Sequence, residues 1–139
     1  MGIYFAVNGG GKTAELSVKS VLHSALEMVS GENTLAKGND TKCKLSIVGQ
    51  INRNNDTTIA ALEEIEKWAK QCNQKEDSYR EVIVEQTYAK AFHRKIVFPD
   101  ARLVSFKEVF VTDNSKFMEI SLEIEQKESK QDDIKIFYI

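Results

Sequence analysis

A single proline, Pro99, falls in a chain of 139 residues. That scarcity excludes proline-rich linkers, and no low-complexity stretch divides the chain, so residues 1–139 read as one domain. Cysteine is nearly as rare. Cys43 and Cys72 are too few for a disulfide framework and sit in apolar patterns, so buried thiols in a reducing compartment are expected. Neither sign of charge is in excess: 19 basic and 21 acidic side chains give a formal net charge of −2. With no basic run, the chain carries no footprint for nucleic acid or for an anionic membrane. No apolar run approaches the length of a bilayer span, so membrane insertion is not expected. The opening residues lack the basic and apolar regions of a secretory signal, and Ala6 stands where a myristoylation pattern wants Ser or Thr. Synthesis in the cytoplasm is the expectation.

What the chain has in abundance is alternation. Ile3, Phe5 and Val7 alternate with Tyr4, Ala6 and Asn8, and Cys43, Leu45, Ile47 and Ile51 with Lys42, Lys44, Ser46 and Gln50. The cleanest stretch is FMEISLEIEQ, with Met118, Ile120, Leu122 and Ile124 on one face and Glu119, Ser121, Glu123 and Glu125 on the other. A half-buried antiparallel strand requires this period of two. Further strands are expected at REVIVEQTY, AFHRKIVF, ARLVSFKEVFVT and DIKIFYI, which are rich in β-branched and aromatic residues.

One segment, DTTIAALEEIEKWAKQCN, changes period. Ile59, Leu62, Ile65, Ala69 and Cys72 fall on one helical face with Ala61 and Trp68 flanking it, and Asp56 is placed to cap the first turn. A helix over about 57–72 follows, with Trp68 as its anchor into the core. The stretch TAELSVKSVLHSALEMVS fits either a helix, through Val18, Leu22, Ala25, Leu26 and Val29, or strands; the hairpin punctuation of NGGGK before it favours strands. The fold class is therefore mainly β (α+β): a small antiparallel β-barrel with one α-helix packed on its side.

The stretch AVNGGGKT, residues 6–13, raises the possibility of chemistry, because it fits a relaxed phosphate-loop pattern. Such a loop needs glycine-freed N–H groups around a phosphate at a helix N-terminus, a lysine on the terminal phosphates and a hydroxyl on magnesium. Here alanine holds the first position. The acidic strand end that would complete the machine is offered only by KIVFPD, where Pro99 separates strand from Asp100. One helix cannot cover a parallel sheet, so the motif reads as a turn. His23, His93, Cys43 and Cys72 match no zinc spacing. Glu63, Glu64, Glu119, Glu123 and Glu125 all fall on expected solvent faces, and no nucleophile elbow is present. No catalytic residue, metal or cofactor is expected, and the chain is not read as an enzyme.

The order of elements resembles a known family. TKCKLSIVGQI as a strand, DTTIAALEEIEKWAKQ as a helix, YREVIVEQ as a strand, then RKIVFPDARLVSFKEVF and FMEISLEIEQK, is similar to the tube-forming subunits of contractile injection machines. These include the Hcp family of type VI secretion and the tail-tube proteins of contractile phages and phage-derived particles. The resemblance covers about residues 41–128, and its most specific piece is the proline-marked bend of RKIVFPDARLVSFKEVF.

It implies a barrel whose subunits form six-membered rings stacked into a hollow tube. The implied partners are further copies of itself, sheath and baseplate proteins, and cargo in the lumen; the implied location is a tail-like particle or a secreted tube. An extended loop of the family reaches toward the next ring. The matching place here is the polar loop of Ser30, Gly31, Glu32, Asn33, Thr34, Leu35, Ala36, Lys37, Gly38, Asn39 and Asp40. The alternatives are a baseplate or tube-initiator component of the same machines, or a monomeric small-ligand-binding β-barrel.

Overall fold

The computed structural model describes residues 2–30, 42–74, 78–89, 92–110 and 116–138. Strand β1 (Gly2–Gly9) turns into β2 (Lys12–Leu16) and, after a short turn, β3 (Val21–Val29). Strand β4 (Lys42–Asn52) leads to helix α1 (Asp56–Gln74), followed by β5 (Arg80–Tyr88), β6 (Phe92–Val109) and β7 (Phe117–Gln126). A 3-10 helix over Glu128–Asp133 then precedes β8 (Lys135–Tyr138). The segment left ambiguous in sequence is thus two strands. The fold is mainly β with one main helix.

All strands belong to one antiparallel sheet in the order β2-β1-β5-β6-β7-β4-β3, with β8 paired to β6. The sheet curls but stays open. Among the described residues β3 pairs only with β4 and β2 only with β1. Side chains reach across the seam, as where Gln86 Nε2 donates a long hydrogen bond of 3.4 Å to Ser24 Oγ.

The inward set read from the alternation is the core: Phe5, Val7, Leu45, Ile47, Ile51, Ile120, Leu122 and Ile124 are all buried. Each such side chain stabilises the fold by about 1.5–3 kcal/mol relative to exposure. Helix α1 packs against β2, β4 and β6. Its buried stripe is Thr58, Ala61, Ile65, Trp68 and Cys72, with Ile59, Leu62 and Ala69 half-buried. Ala61 and Trp68 therefore lie at the centre of the face rather than on its flanks. Trp68 anchors the helix as expected, its Nε1 donating to Ser78 O at 2.9 Å.

Three details depart from the sequence reading. The N-cap is Asn55, not Asp56: Asn55 O accepts the Ile59 N–H at 3.1 Å and Asn55 Oδ1 accepts the Thr57 N–H at 2.9 Å. Asp56 instead sits in the first turn, where its charge favours the helix dipole. The two strands expected on either side of Pro99 are one continuous strand, β6, of 18 residues. Pro99 survives inside it because the register slips there, from Val82↔Phe98 to Arg80↔Ala101, so that the residue lacking an N–H sits in a bulge. The 3-10 helix was not foreseen; it is held by side chains, with Gln126 Nε2 donating to Lys130 O and Gln131 Nε2 to Gln126 O, both at 2.9 Å.

Candidate assembly surfaces

The GGGK stretch is a hairpin turn. Gly10 and Gly11 have φ of +62° and +79°, the pair of left-handed conformations that a two-residue type I′ turn needs, and Gly9 pairs with Lys12 across it. Strand β2 follows instead of a helix, so no helix N-terminus stands after these N–H groups, and Lys12 is exposed on an edge strand.

Beneath that turn lies a residue the sequence did not single out. The stem of Arg80 runs so close under Gly9 that a Cβ there would come within 2.6 Å of Arg80 Cγ. Its guanidinium donates to Glu64 Oε1 at 3.0 Å and to Gln71 Oε1 at 2.9 Å. Glu64 was expected on the solvent face of the helix; it is buried, because this cation of β5 rises to meet it. Only the partner across the fold reveals that position. The pair ties hairpin, helix and β5 together and leaves the sheet edges to be dealt with from outside.

Those edges carry the surface character of the molecule. Strand β2 alternates outward Lys12, Thr13 and Glu15 with buried Ala14 and Leu16. Strand β3 is different: Leu22, His23, Ala25, Glu27, Met28 and Val29 are all exposed, on both of its faces. An edge strand that among the described residues is paired on one side only, with Met28 57% exposed, is a template for another chain unless something covers it. A second surface, which mixes apolar side chains with charged and polar ones, lies where α1 passes the C-terminal half of β6, around Val104 and a Phe110 that is 72% exposed. At the open seam, Leu22, Tyr88 and Gly2 border an apolar cleft of about 480 Å³.

Solved structures share this architecture. Hcp1 from Flavobacterium johnsoniae matches with a TM-score of 0.55 and 15% identity, over 96% of this chain and 93% of that one. The chain has an Hcp-like fold. A chain of the anti-feeding prophage baseplate matches at 0.53 and 9% identity, over 97% of this chain and 91% of that one. A chain of the PVC sheath–tube complex, from an extracellular contractile injection system in its extended state, matches at 0.52 and 12% identity, over 97% and 88%. No protein-family model matches the sequence, and no curated protein does.

The ring-stacking segment expected at residues 30–40 follows β3 in sequence. Ser30 is exposed, and Gly31 to Asp40 lie outside the described residues. The candidate metal ligands are dispersed: His23 is exposed on β3, His93 is half-buried on β6 and 3.9 Å from Glu85, Cys43 is buried on β4 and Cys72 on α1. Burial pushes both thiols above the ordinary cysteine range. Among the described residues no three His, Cys, Asp or Glu side chains converge as a metal set. Of the carboxylates considered for acid–base work, Glu119 and Glu123 are exposed on β7 and Glu125 pairs with Lys44 at 3.4 Å. No helix of the described residues is long and apolar enough to cross a membrane.

Proposed function

We propose that this chain is a structural subunit, acting as one domain, that self-associates into rings stacked as the hollow inner tube of a contractile injection machine. One observation carries the reading: a curled eight-stranded sheet that among the described residues stops short of closing, with an edge strand, β3, exposed on both faces and carrying Leu22, Met28 and Val29 among its exposed side chains. An open edge of this kind is relieved by a neighbour's strand, and head-to-tail contacts of one patch with another generate rings when the rotation closes. The Hcp-like fold, shared with a chain of a sheath–tube complex, supports the same reading.

The subunit works by association rather than by chemistry, and needs no cofactor. Its partners are further copies of itself in a six-membered ring, then sheath and baseplate proteins, with cargo in the lumen. The loop of residues 30–40 reaches toward the next ring. The protein is made in the cytoplasm and leaves it as part of a tail-like particle or secreted tube. A ligand-binding barrel is disfavoured because Phe5, Leu16, Trp68, Phe98 and Ile120, all fully buried, occupy the space between sheet and helix.

The second reading, a baseplate or initiator component, rests on the fold shared with a baseplate chain of the anti-feeding prophage. Mass in solution across concentration, with negative-stain images of the same sample, tests the proposal. About six times the 15.7 kDa chain mass with annular particles is the expected result. A strict monomer at high concentration overturns it, and a protein that joins a tube subunit without polymerising alone is the initiator.

A further inference from the structure

Strand β6 has neighbours of unequal length. On one side β5 pairs with Phe92–Phe98 and Ala101, and among the described residues no strand continues beyond Ala101 on that side. The start of the exposed edge is covered by α1: Arg102 Nη2 donates to Cys72 O at 3.5 Å, and Cys72 hydrogen-bonds the Leu103 backbone. Past that point an open groove of about 700 Å³ separates helix from strand. Its walls are Glu66, Ala69 and Lys70 from the helix, Val104, Phe106 and Glu108 from β6, and Phe110 just past the end of that strand.

A bulge helps to make the groove. The β6–β7 register slips from Leu103↔Ile124 to Ser105↔Glu123, leaving Val104 as the extra residue. That bulge turns the strand and puts the Val104 side chain outside, about half exposed. Val104–Val109 then present about 20 Å of strand edge with apolar side chains beside it.

The same chain carries a strand of the complementary kind. The first half of β3 is held toward the seam, where Ser24 meets Gln86, while Ala25–Val29 stand clear with Met28 and Val29 exposed. These five residues suit the length of the Val104–Val109 edge. Charge agrees with this pairing. Glu66 and Glu108 face each other across the groove, and Lys42, exposed on β4, is the register partner of Val29 at the end of β3.

We propose that the α1–β6 groove of one copy receives the Ala25–Val29 edge of β3 from a second copy, adding a strand to β6 and bringing Lys42 to the Glu66–Glu108 carboxyl pair. This rests on the self-association reading and specifies the two surfaces that meet. Main-chain hydrogen bonds give such an added strand its affinity, and the pockets beside the edge give it register. The contact is heterologous, so each subunit offers one groove and one strand, and a ring leaves neither uncovered.

The test uses two full-length variants, Met28→Cys and Val104→Cys, each checked for native emission from buried Trp68. Cys43 and Cys72 are buried and serve as the unreactive background. Each variant alone and the two mixed are treated with a short bis-maleimide, which tolerates a one-residue error in register. The expected result is a dimer band that takes up about half of an equal mixture, the share of matched neighbours in randomly mixed rings, and is absent from either variant alone. Glu15→Cys on β2 mixed with Val104→Cys is the control pair. Rings that form while the Met28–Val104 mixture gives no band, or while Glu15 cross-links in its place, overturn this contact and leave the tube reading standing. Monomers at every concentration overturn both.

Discussion

Arg80 Nη1 lies 3.0 Å from Glu64 Oε1, with the two side chains only 5% and 12% exposed. A pair so placed is costly to break from one side, because the remaining charge keeps its burial and loses its partner. Glu64→Leu is therefore expected to lower stability by about 3–5 kcal/mol, toward the smaller figure because Gln71 still accepts from the guanidinium. Replacing both, as Glu64→Leu with Arg80→Met, is expected to recover much of the loss. Denaturant titration followed by the emission of the single tryptophan, Trp68, measures both; equal stability of Glu64→Leu and the parent would remove the ion pair from any account of the fold.

Gly9 is small because Arg80 passes beneath it. The contacts of 2.6 Å to Cγ and 2.9 Å to Cδ involve the stem of a side chain whose tip is pinned, so it cannot swing aside. Gly9→Ala is expected to cost about 1–2 kcal/mol, the overpacking penalty less the usual gain from a stiffer unfolded chain. In an Arg80→Ala background the same change should cost nothing. A double-mutant cycle showing no coupling between the two positions would contradict this geometry.

Glu108 is held above the ordinary carboxylate range, first by burial, then by its hydrogen bond with Glu66 and by that residue's charge. An acid raised in the folded state supplies stability that is present below its unfolded pKa and is lost as pH rises through the folded value. Glu108→Gln should therefore raise the unfolding midpoint at about pH 8 and change little near pH 4. The opposite ordering of the two pH values would show that the carboxyl is ionised and satisfied in the groove.

Tyr4 is pushed up to about 12 by burial, by its hydrogen bond to Glu15 and by the charges of Glu15 and Glu85. Its contribution to stability is intact below about pH 10, the unfolded value, and is lost as pH climbs toward the folded one. In an alkaline absorbance titration, one of the four tyrosines should ionise in a late step that Tyr4→Phe removes. A titration with all four ionising together would show that the Tyr4–Glu15 bond is not kept in solution.

Lys12→Ala should leave fold and nucleotide binding alike unchanged, because Lys12 stands on an edge strand after a hairpin turn. Calorimetry with ATP and magnesium on both proteins checks this. A binding isotherm lost in the variant would restore the phosphate loop.

The strands were legible because burial on one face writes itself as a period of two; REVIVEQTY and FMEISLEIEQ are β5 and β7 residue for residue. The helix was legible for the same reason at its own period, but the centre of its stripe was not. Apolarity alone placed Ile59 and Leu62 inward, whereas contact with β2, β4 and β6 puts Thr58, Ala61 and Trp68 there. Pro99 marked a bend but not that it is a bulge inside one strand, and the bulge at Val104 was invisible, since a bulge is a mismatch between two strands and one strand's sequence cannot state it.

The sequence by itself determined the local things: which segments alternate, where glycine must take a positive φ, and which side chains are too apolar to stay in water. Each is settled within a few residues by backbone sterics or by transfer from water. The tertiary structure decided which elements meet. It buried Glu64 by bringing Arg80 from 16 residues away, and it left β3 and the C-terminal half of β6 exposed as strand edges by fixing the order of the sheet. Pairing is a relation between distant segments, governed by registers and charges that face each other only once the chain has folded.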